Sequence, residues 1–386
     1  FSRSIGLDSL IEVLSSMDLS VRKSDLLREL YFMQGIIERK NTIPILANLL
    51  VEAGTGDTIK LLATDLELGL RSQCKASIKK PGVLTLPAKK LFEIVRELPE
   101  TDIRIKKDED KNQVVITADQ FKSKIQTLPS NDFPAVLEPP GKTQVLLSRD
   151  LLRLMISRTQ FAITGEDTRY FLNGALFVLK TDSMDLVATD GHRLALATTP
   201  REPEEIEEVR TIFPKKTLIE LSKLLADGES KDVLYECGEA HIFFKVDGRQ
   251  LISRMIDAQF PAFERVIPKG NNKKIEFDRD RLTSAIKRVR LLSSERSQAV
   301  TMRLSDDIVE VRSKSAEVGE AAEELTVNYG DGEVEICFNA QYVLDFLAAV
   351  DTDTVVLELK DEMSQAVMHP AGQEASYTYV IMPMRV

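Results

Sequence analysis

The sequence predicts an α+β fold: three similar domains, each with two helices packed on antiparallel sheets. Two recurring helix signatures and one recurring strand signature predict it. The first helix signature is an amphipathic segment that opens on charged residues. Arg22-Lys23-Ser24-Asp25-Leu26-Leu27 runs on to about Ile36, and Ser148-Arg149-Asp150-Leu151-Leu152 to Ile163. Asp278-Arg279-Asp280-Arg281-Leu282 runs to Ser293. Asp25, Asp150 and Asp280 stand 125 and 130 residues apart. Each segment sets apolar residues at helical spacing behind a polar or acidic start, as helix N-termini prefer.

The second helix signature recurs in step. Pro87-Ala88-Lys89-Lys90 opens Leu91 to Leu98, Pro214-Lys215-Lys216 opens Leu218 to Leu225, and Phe338-Asn339-Ala340 opens Tyr342 to Val350. Proline in a first turn suits a helix start, where its missing N–H is not needed. The strand signature is Leu62-Ala63-Thr64-Asp65, which returns as Val187-Ala188-Thr189-Asp190; Val309-Glu310-Val311 stands near that place in the third unit. Between the helices the pattern alternates and is β-branched, as in Val114-Val115-Ile116-Thr117 and Thr354-Val355-Val356-Leu357. Polar turns such as Asp108 to Asn112 separate the strands. Each unit therefore reads as two helices and about eight short strands. Pro139-Pro140-Gly141 and Pro268 to Asn272 are the natural linkers, so the units fall at 17–139, 140–269 and 270–386. Residues 1–16 lie outside the repeat and read as a leader or tag with no assigned function.

At 386 residues the chain has room for two to three ordinary domains, and 43% hydrophobic with 29% charged residues is normal for packed cores. No apolar run reaches the length of a membrane span, so no membrane partner is expected. Cys74, Cys237 and Cys337 lie far apart, as reduced core thiols of a cytoplasmic protein would. His192, His241 and His369 show no metal-ligand spacing, and no metal or cofactor is expected.

The net charge of −10 argues at first sight against nucleic acid. Its distribution argues the other way, because the six helical segments together are net basic and the remainder is strongly acidic. Repeated basic helices suit the regular phosphates of duplex DNA. Lys and Arg contacts to phosphate position a protein without reading sequence. No recognition helix, zinc finger or stacking-aromatic platform appears, so base-specific binding is not expected. Lys89, Lys90, Lys215 and Lys216 stand at helix starts, against the helix dipole, which points to a demand from outside the helix.

No phosphate-binding glycine loop and no nucleophile elbow occurs. Asp190-Gly191-His192-Arg193 is the one cluster with acid–base potential. An Asp-Gly turn joining two strands is the favoured reading, because no serine or cysteine nucleophile accompanies it and Asp65 has no matching histidine. The chain is not expected to be an enzyme.

Val187-Ala188-Thr189-Asp190-Gly191-His192-Arg193-Leu194-Ala195 resembles the central signature of the bacterial DNA polymerase III beta subunit, the DNA sliding clamp family. Tyr379 to Val386 resembles the C-terminus of that family. Arg169 to Gly174, Phe260-Pro261 through Arg265-Val266, Thr42 to Leu46, and Thr127 to Pro134 are similar to further family blocks. The resemblance covers residues 17–386. It implies a head-to-tail homodimer ring with helices lining a channel for double-stranded DNA and strands forming an outer wall. It also implies one hydrophobic pocket per chain for short linear motifs of the replicative polymerase, the clamp loader and repair proteins. Carried over residue by residue, the pocket holds Leu172, Thr189, Gly191, His192, Arg193, Leu194, Pro261, Arg265 and Val266. From the third unit it takes Asn339, Tyr342, Met363, Val380, Met382, Pro383, Met384 and Arg385. Methionines and apolar walls with a few polar groups suit a peptide groove. The DNA-binding candidates are Lys40, which matches a basic family position, and the helix residues Arg153, Arg158, Lys215, Lys216, Lys223, Arg279 and Lys287. The dimer-interface candidates are Ile125, Leu291 and Leu292.

The sequence thus predicts a processivity clamp that encircles duplex DNA in the cytoplasm, associated with the nucleoid. A DNA-associated module that meets partners without closing a ring is the alternative, and an enzyme built on Asp190 and His192 is the third reading.

Overall fold

The structure is a computed structural model and describes residues 17–37, 42–108, 111–141, 144–165 and 167–385. Among these are six helices: α1 (Lys23–Ile36), α2 (Ala88–Glu97), α3 (Arg149–Thr159), α4 (Lys215–Ala226), α5 (Arg279–Val289) and α6 (Ala340–Ala349). They alternate with 24 strands in a fixed order of strand, helix, four strands, helix, three strands, run through three times. The α+β class and the count of two helices with about eight strands per repeat are what the sequence predicts.

Local chemistry sets the helix ends. Asp278 accepts from Arg281 N at 2.8 Å to cap α5, and Asn339 accepts from Gln341 N at 2.9 Å to cap α6. The sequence reading runs two helices too long: α3 and α5 stop at Thr159 and Val289, and the chain tightens into 3-10 turns at Gln160–Ala162 and Arg290–Leu292. Pro87 and Pro214 are not in a first turn either. Each is the last residue of a strand, Gly82–Pro87 and Val209–Pro214, directly ahead of its helix.

The chain packs as two compact units: residues up to Arg149 with Ile219–Met255, and Asp150–Leu218 with Ile256–Val386. Repeat two is divided between them, and strand pairing explains why. In unit one, Leu68–Lys80 pairs antiparallel with Arg249–Arg254, Leu68 opposite Ser253 and Arg71 opposite Gln250. In unit two, Arg193–Pro200 pairs with Tyr377–Ile381, Arg193 opposite Ile381 and Ala197 opposite Tyr377. Both pairings follow one rule: the third strand of a repeat's set of four joins the last strand of the next repeat. Two strands in the corresponding positions end at sheet edges. Phe121–Gln126, the last of repeat one, pairs among the described residues only with Gln113–Ala118. Gly319–Thr326, the third of the four in repeat three, pairs among the described residues only with Ile308–Ser315.

Unit one carries a buried ionic knot across its repeat boundary. The Arg249 guanidinium is bidentate on Glu29 of α1, at 2.8 and 2.7 Å, and donates to Asp227 at 2.8 Å. It lies over the Phe32 ring at 4.3 Å, and its side chain is 4% exposed. Arg28 reaches the same Asp227 oxygen, Oδ2, at 2.8 Å. Burial raises the Asp227 carboxyl, but hydrogen bonds from Arg28 and Arg249 outweigh that and hold it below the usual carboxylate range. A buried pair adds little net stability over an apolar replacement, but losing one partner strands a charge. Arg249→Ala is therefore expected to destabilise the protein by about 3–5 kcal/mol in urea titrations. Adding Glu29→Ala should recover part of the loss, since the two positions act as one unit.

Candidate functional site

The site is built around the turn between Ser183–Thr189 and Arg193–Pro200 in unit two. The Thr189 hydroxyl donates to Arg193 O at 2.7 Å and accepts from Gly191 N at 3.1 Å. Asp190 Oδ1 accepts from the backbone N–H groups of His192 and Arg193 at 2.9 and 3.0 Å. The Asp190 carboxylate is spent on folding the turn, which is the structural role favoured from sequence. Gly191 has φ +87°, a left-handed conformation that a side chain resists. His192 is exposed, and its carbonyl accepts from Met382 N at 2.9 Å.

Arg193 fixes this turn to three other segments. Its guanidinium reaches Asp190 at 3.0 Å, Asp345 of α6 at 2.6 Å and Phe161 O at 2.8 Å. It is sandwiched between aromatic faces, 4.3 Å from the Tyr342 ring and 5.3 Å from that of Phe161. Burial works against its charge, and the hydroxyl of Tyr379 with the carboxylates of Asp345 and Asp190 more than offsets this. Burial also pushes up the Tyr379 hydroxyl, which stays protonated and donates to Tyr342 O at 2.9 Å.

Beside this polar knot lies an apolar floor. Leu176, Val178, Val187, Leu194, Ile212, Phe263, Val367 and Val380 form one buried cluster. Half-buried Phe171, Leu196, Ile256, Phe260 and Val266 pack against it, with the Phe171 and Phe260 rings edge to face at 6.2 Å. Leu172 is buried in the adjoining 3-10 turn Tyr170–Asn173, where its carbonyl accepts from the Thr164 hydroxyl at 2.8 Å. The C-terminal segment closes one side. After Val380, Met382 is tied to His192, and Met384 N donates to Cys337 O at 2.7 Å, leaving Met382, Pro383 and Met384 half-exposed.

Most of the expected groove residues therefore converge. Leu172, Thr189, Gly191, His192, Arg193, Leu194, Tyr342, Val380, Met382, Pro383 and Met384 are linked by the contacts above. Asn339 joins through the cap of α6, one turn from Tyr342. Val266 packs on the floor, while Pro261, Arg265 and Arg385 are exposed on segments leading from it. Met363 stands apart. It lies in the turn between Thr354–Leu359 and Ala366–Pro370, lining a polar hollow with Lys273, Arg303 and Glu333. Reading by sequence missed Phe161 and Asp345, which hold Arg193 and have no local pattern to single them out; Phe171 and Phe260 lie in blocks that carry the family resemblance but were not placed in the pocket.

The basic candidates divide. Arg153 and Lys287 are exposed on α3 and α5, and Lys223 is half-exposed beside Glu220 at 2.7 Å. Lys216 is half-buried. Lys215 donates to Ile163 O at 2.9 Å, and Arg279 to Val350 O at 2.9 Å while pairing with Asp280. Arg158 corrects the sequence reading: only 4% exposed, it donates to Gln373, lies over the Tyr377 ring and is turned into the core. Lys40 lies outside the described residues. Of the interface candidates, Ile125 is buried on the edge strand Phe121–Gln126, Leu292 is half-buried, and Leu291 is 74% exposed. Among the described residues no group of three or more His, Cys, Asp or Glu could hold a metal ion, and no helix is long and apolar enough to cross a membrane.

Three copies of one strand–helix order, with sheets joined from repeat to repeat, define a DNA clamp fold. Models of the DNA polymerase III beta subunit match the chain in three parts: the N-terminal domain at residues 17–137, the central domain at 146–262 and the C-terminal domain at 264–385. The chain belongs to that family. It is 37% identical to the beta sliding clamp of Pseudomonas putida over 372 residues and 33% identical to that of Escherichia coli (strain K12), in each case over 96% of this chain and 100% of the relative. Among solved structures it is similar to a Pseudomonas aeruginosa sliding clamp bound to griselimycin, with a TM-score of 0.90 at 34% identity. It is also similar to the Caulobacter crescentus clamp, with a TM-score of 0.88 at 34% identity. Both matches cover 96% of this chain and 100% of the other.

The turn geometry carries a direct consequence. Gly191→Ala places a Cβ on a left-handed residue and is expected to cost about 1–2 kcal/mol. The midpoint of urea unfolding, at unchanged slope, checks it.

Proposed function

We infer that two copies of this chain close head to tail into a ring around duplex DNA, and that the ring is the processivity clamp of the bacterial replicative polymerase. The observation that carries the ring is the pairing rule. Two of the three possible junctions are made within the chain, and the two strands that would make the third are left at sheet edges. Continuing the rule joins Gly319–Thr326 of one copy to Phe121–Gln126 of the next. The two edges are complementary in charge: Lys122 and Lys124 on one, Glu320, Glu323 and Glu324 on the other. Exposed Leu291 sits in the 3-10 turn packed beside Gly319–Thr326, and Ile125 lies on the other edge. A heterologous contact of this kind closes when the rotation is right, and closure pairs both of these edges.

The basic helices face the DNA and hold it through phosphates, without sequence preference. Arg153, Lys216, Lys223 and Lys287 are the helix residues suited to this, with Lys40 from the family resemblance; Arg158, Lys215 and Arg279 serve packing instead. The groove of unit two takes short apolar motifs of polymerase, clamp loader and repair proteins, with Arg193 and the Met382–Met384 segment as its walls. The clamp turns over no substrate and acts in the cytoplasm at the nucleoid. Ring opening for loading is the task of an ATP-driven partner.

Retention on nicked circular DNA after loading tests the ring. Protein that stays on circles and slides off once they are linearised encircles DNA; equal retention on both forms would identify a module that binds without closing. At the interface, Leu291→Asp combined with Lys124→Glu is expected to shift the mass in sedimentation velocity from dimer to monomer, and to abolish retention on circles.

A further inference from the structure

The turn that builds the groove of unit two is present in unit one as well, with different side chains. Thr64 Oγ1 donates to Leu68 O at 3.0 Å and accepts from Leu66 N at 3.0 Å. Asp65 Oδ1 accepts from Glu67 N and Leu68 N at 2.9 and 2.6 Å. These four bonds match, position for position, those of Thr189 and Asp190. The flanking parts correspond too: Phe133-Pro134-Ala135 stands where unit two has Phe260-Pro261-Ala262, and Arg249–Arg254 where it has Tyr377–Ile381. Between them lies a hollow of about 110 Å³, walled by Leu66, Leu68, Val136, Leu137 and Ile252.

The substitutions change what the hollow can hold. Leu68 replaces Arg193, so no guanidinium crosses it. Gly69 replaces Leu194, and Val136 comes within 3.5 Å of where a Cβ there would sit, filling part of the floor. What remains is walled mainly by apolar side chains, with Thr64, Glu67 and His241 also lining it, and holds roughly one aliphatic side chain, well below the volume of a small-molecule site. Two leucines stand exposed at its rim, Leu66 at 53% and Leu137 at 51%, beside the exposed Glu67. Leu66 stands in place of Gly191 with φ +81°, a conformation disfavoured for any bulky residue. A leucine that is both strained and exposed, at the lip of an apolar hollow, serves neither the turn nor the core.

We propose that this hollow is a second docking point for linear peptides, taking a single leucine-sized side chain gripped between Leu66 and Leu137. The proposal rests on the reading of unit two as the partner groove, since its occupant is argued from the shared device. A partner chain long enough could engage both points, and the second would then act at the effective concentration set by the linker.

The test uses the full-length protein and N-acetyl-Leu-photoleucine-Phe-amide as probe, with crosslinked sites mapped by mass spectrometry. Two labelled regions are expected, one around Leu172 and Met382 and one within residues 66–69 or 134–137. Leu66→Gly, which relieves the strained backbone, and Leu137→Ser are each expected to lower labelling of the second region by roughly tenfold. Labelling around Leu172 should stay unchanged in both variants. Labelling confined to unit two, or a second label indifferent to both variants, would overturn the proposal and leave the partner groove standing. Absence of label at both regions would overturn the groove and the proposal together.

Discussion

Antiparallel pairing between the third strand of one repeat's set of four and the last strand of the next repeat is the constraint on which this architecture depends. A strand edge exposes a row of unpaired N–H and C=O groups, and proteins that leave such edges open invite uncontrolled association. Here each repeat offers two joining edges of opposite role, and each junction consumes one of each. The Leu68–Lys80 and Arg193–Pro200 junctions join sheet to sheet inside the chain, which is why the compact units cut through repeat two and not between repeats. A linear run of repeats must end with one edge of each kind unspent. Closing on a second copy removes both without new chemistry, because the surfaces that meet are those the chain already uses internally.

The same economy holds at the turns. Thr189 with Asp190, and Thr64 with Asp65, tie the backbone by four matching hydrogen bonds, so the turn itself needs no particular residue after the aspartate except one that accepts positive φ. The three following positions are then free to specialise. In repeat two they carry glycine, an exposed histidine and an arginine held by Asp345, Phe161 and Tyr342; in repeat one they carry leucine, glutamate and leucine. Folding fixes the frame, and function is written in the residues the frame does not use.

Much of the fold was legible because repetition multiplies weak signals. A single amphipathic stretch or a single Ala-Thr-Asp is unremarkable, but the same ones in the same order give three helix pairs and their spacing. Strand partners were not legible, since alternation identifies a strand and says nothing about what lies beside it. The site was readable to the extent that it sits in one contiguous signature, Thr189 to Leu194, plus the C-terminal segment. It failed where the deciding contact is remote. Arg158 has the composition of a solvated helix face, yet Tyr377 and Gln373, more than 200 residues away, draw it into the core. Lys215 conflicts with the helix dipole for an internal reason, the carbonyl of Ile163, and not because of an outside partner. Helical periodicity shows that two faces differ without showing which contacts each face will meet.

The acidic total charge follows from how a ring holds DNA. A protein that binds DNA by contact alone needs many phosphate contacts, and each adds roughly 0.9 to the slope of affinity against salt. A closed ring is retained by topology, so its contacts need only centre the duplex and must release easily for sliding. Strong basic surfaces would oppose that motion and attract nucleic acid to the outer faces. With several helix cations committed to packing, as Arg158, Lys215 and Arg279 are, the DNA-facing charge is thinner than the sequence suggests. A net charge of −10 is then compatible with the task, because an acidic exterior repels DNA everywhere except where the ring encloses it.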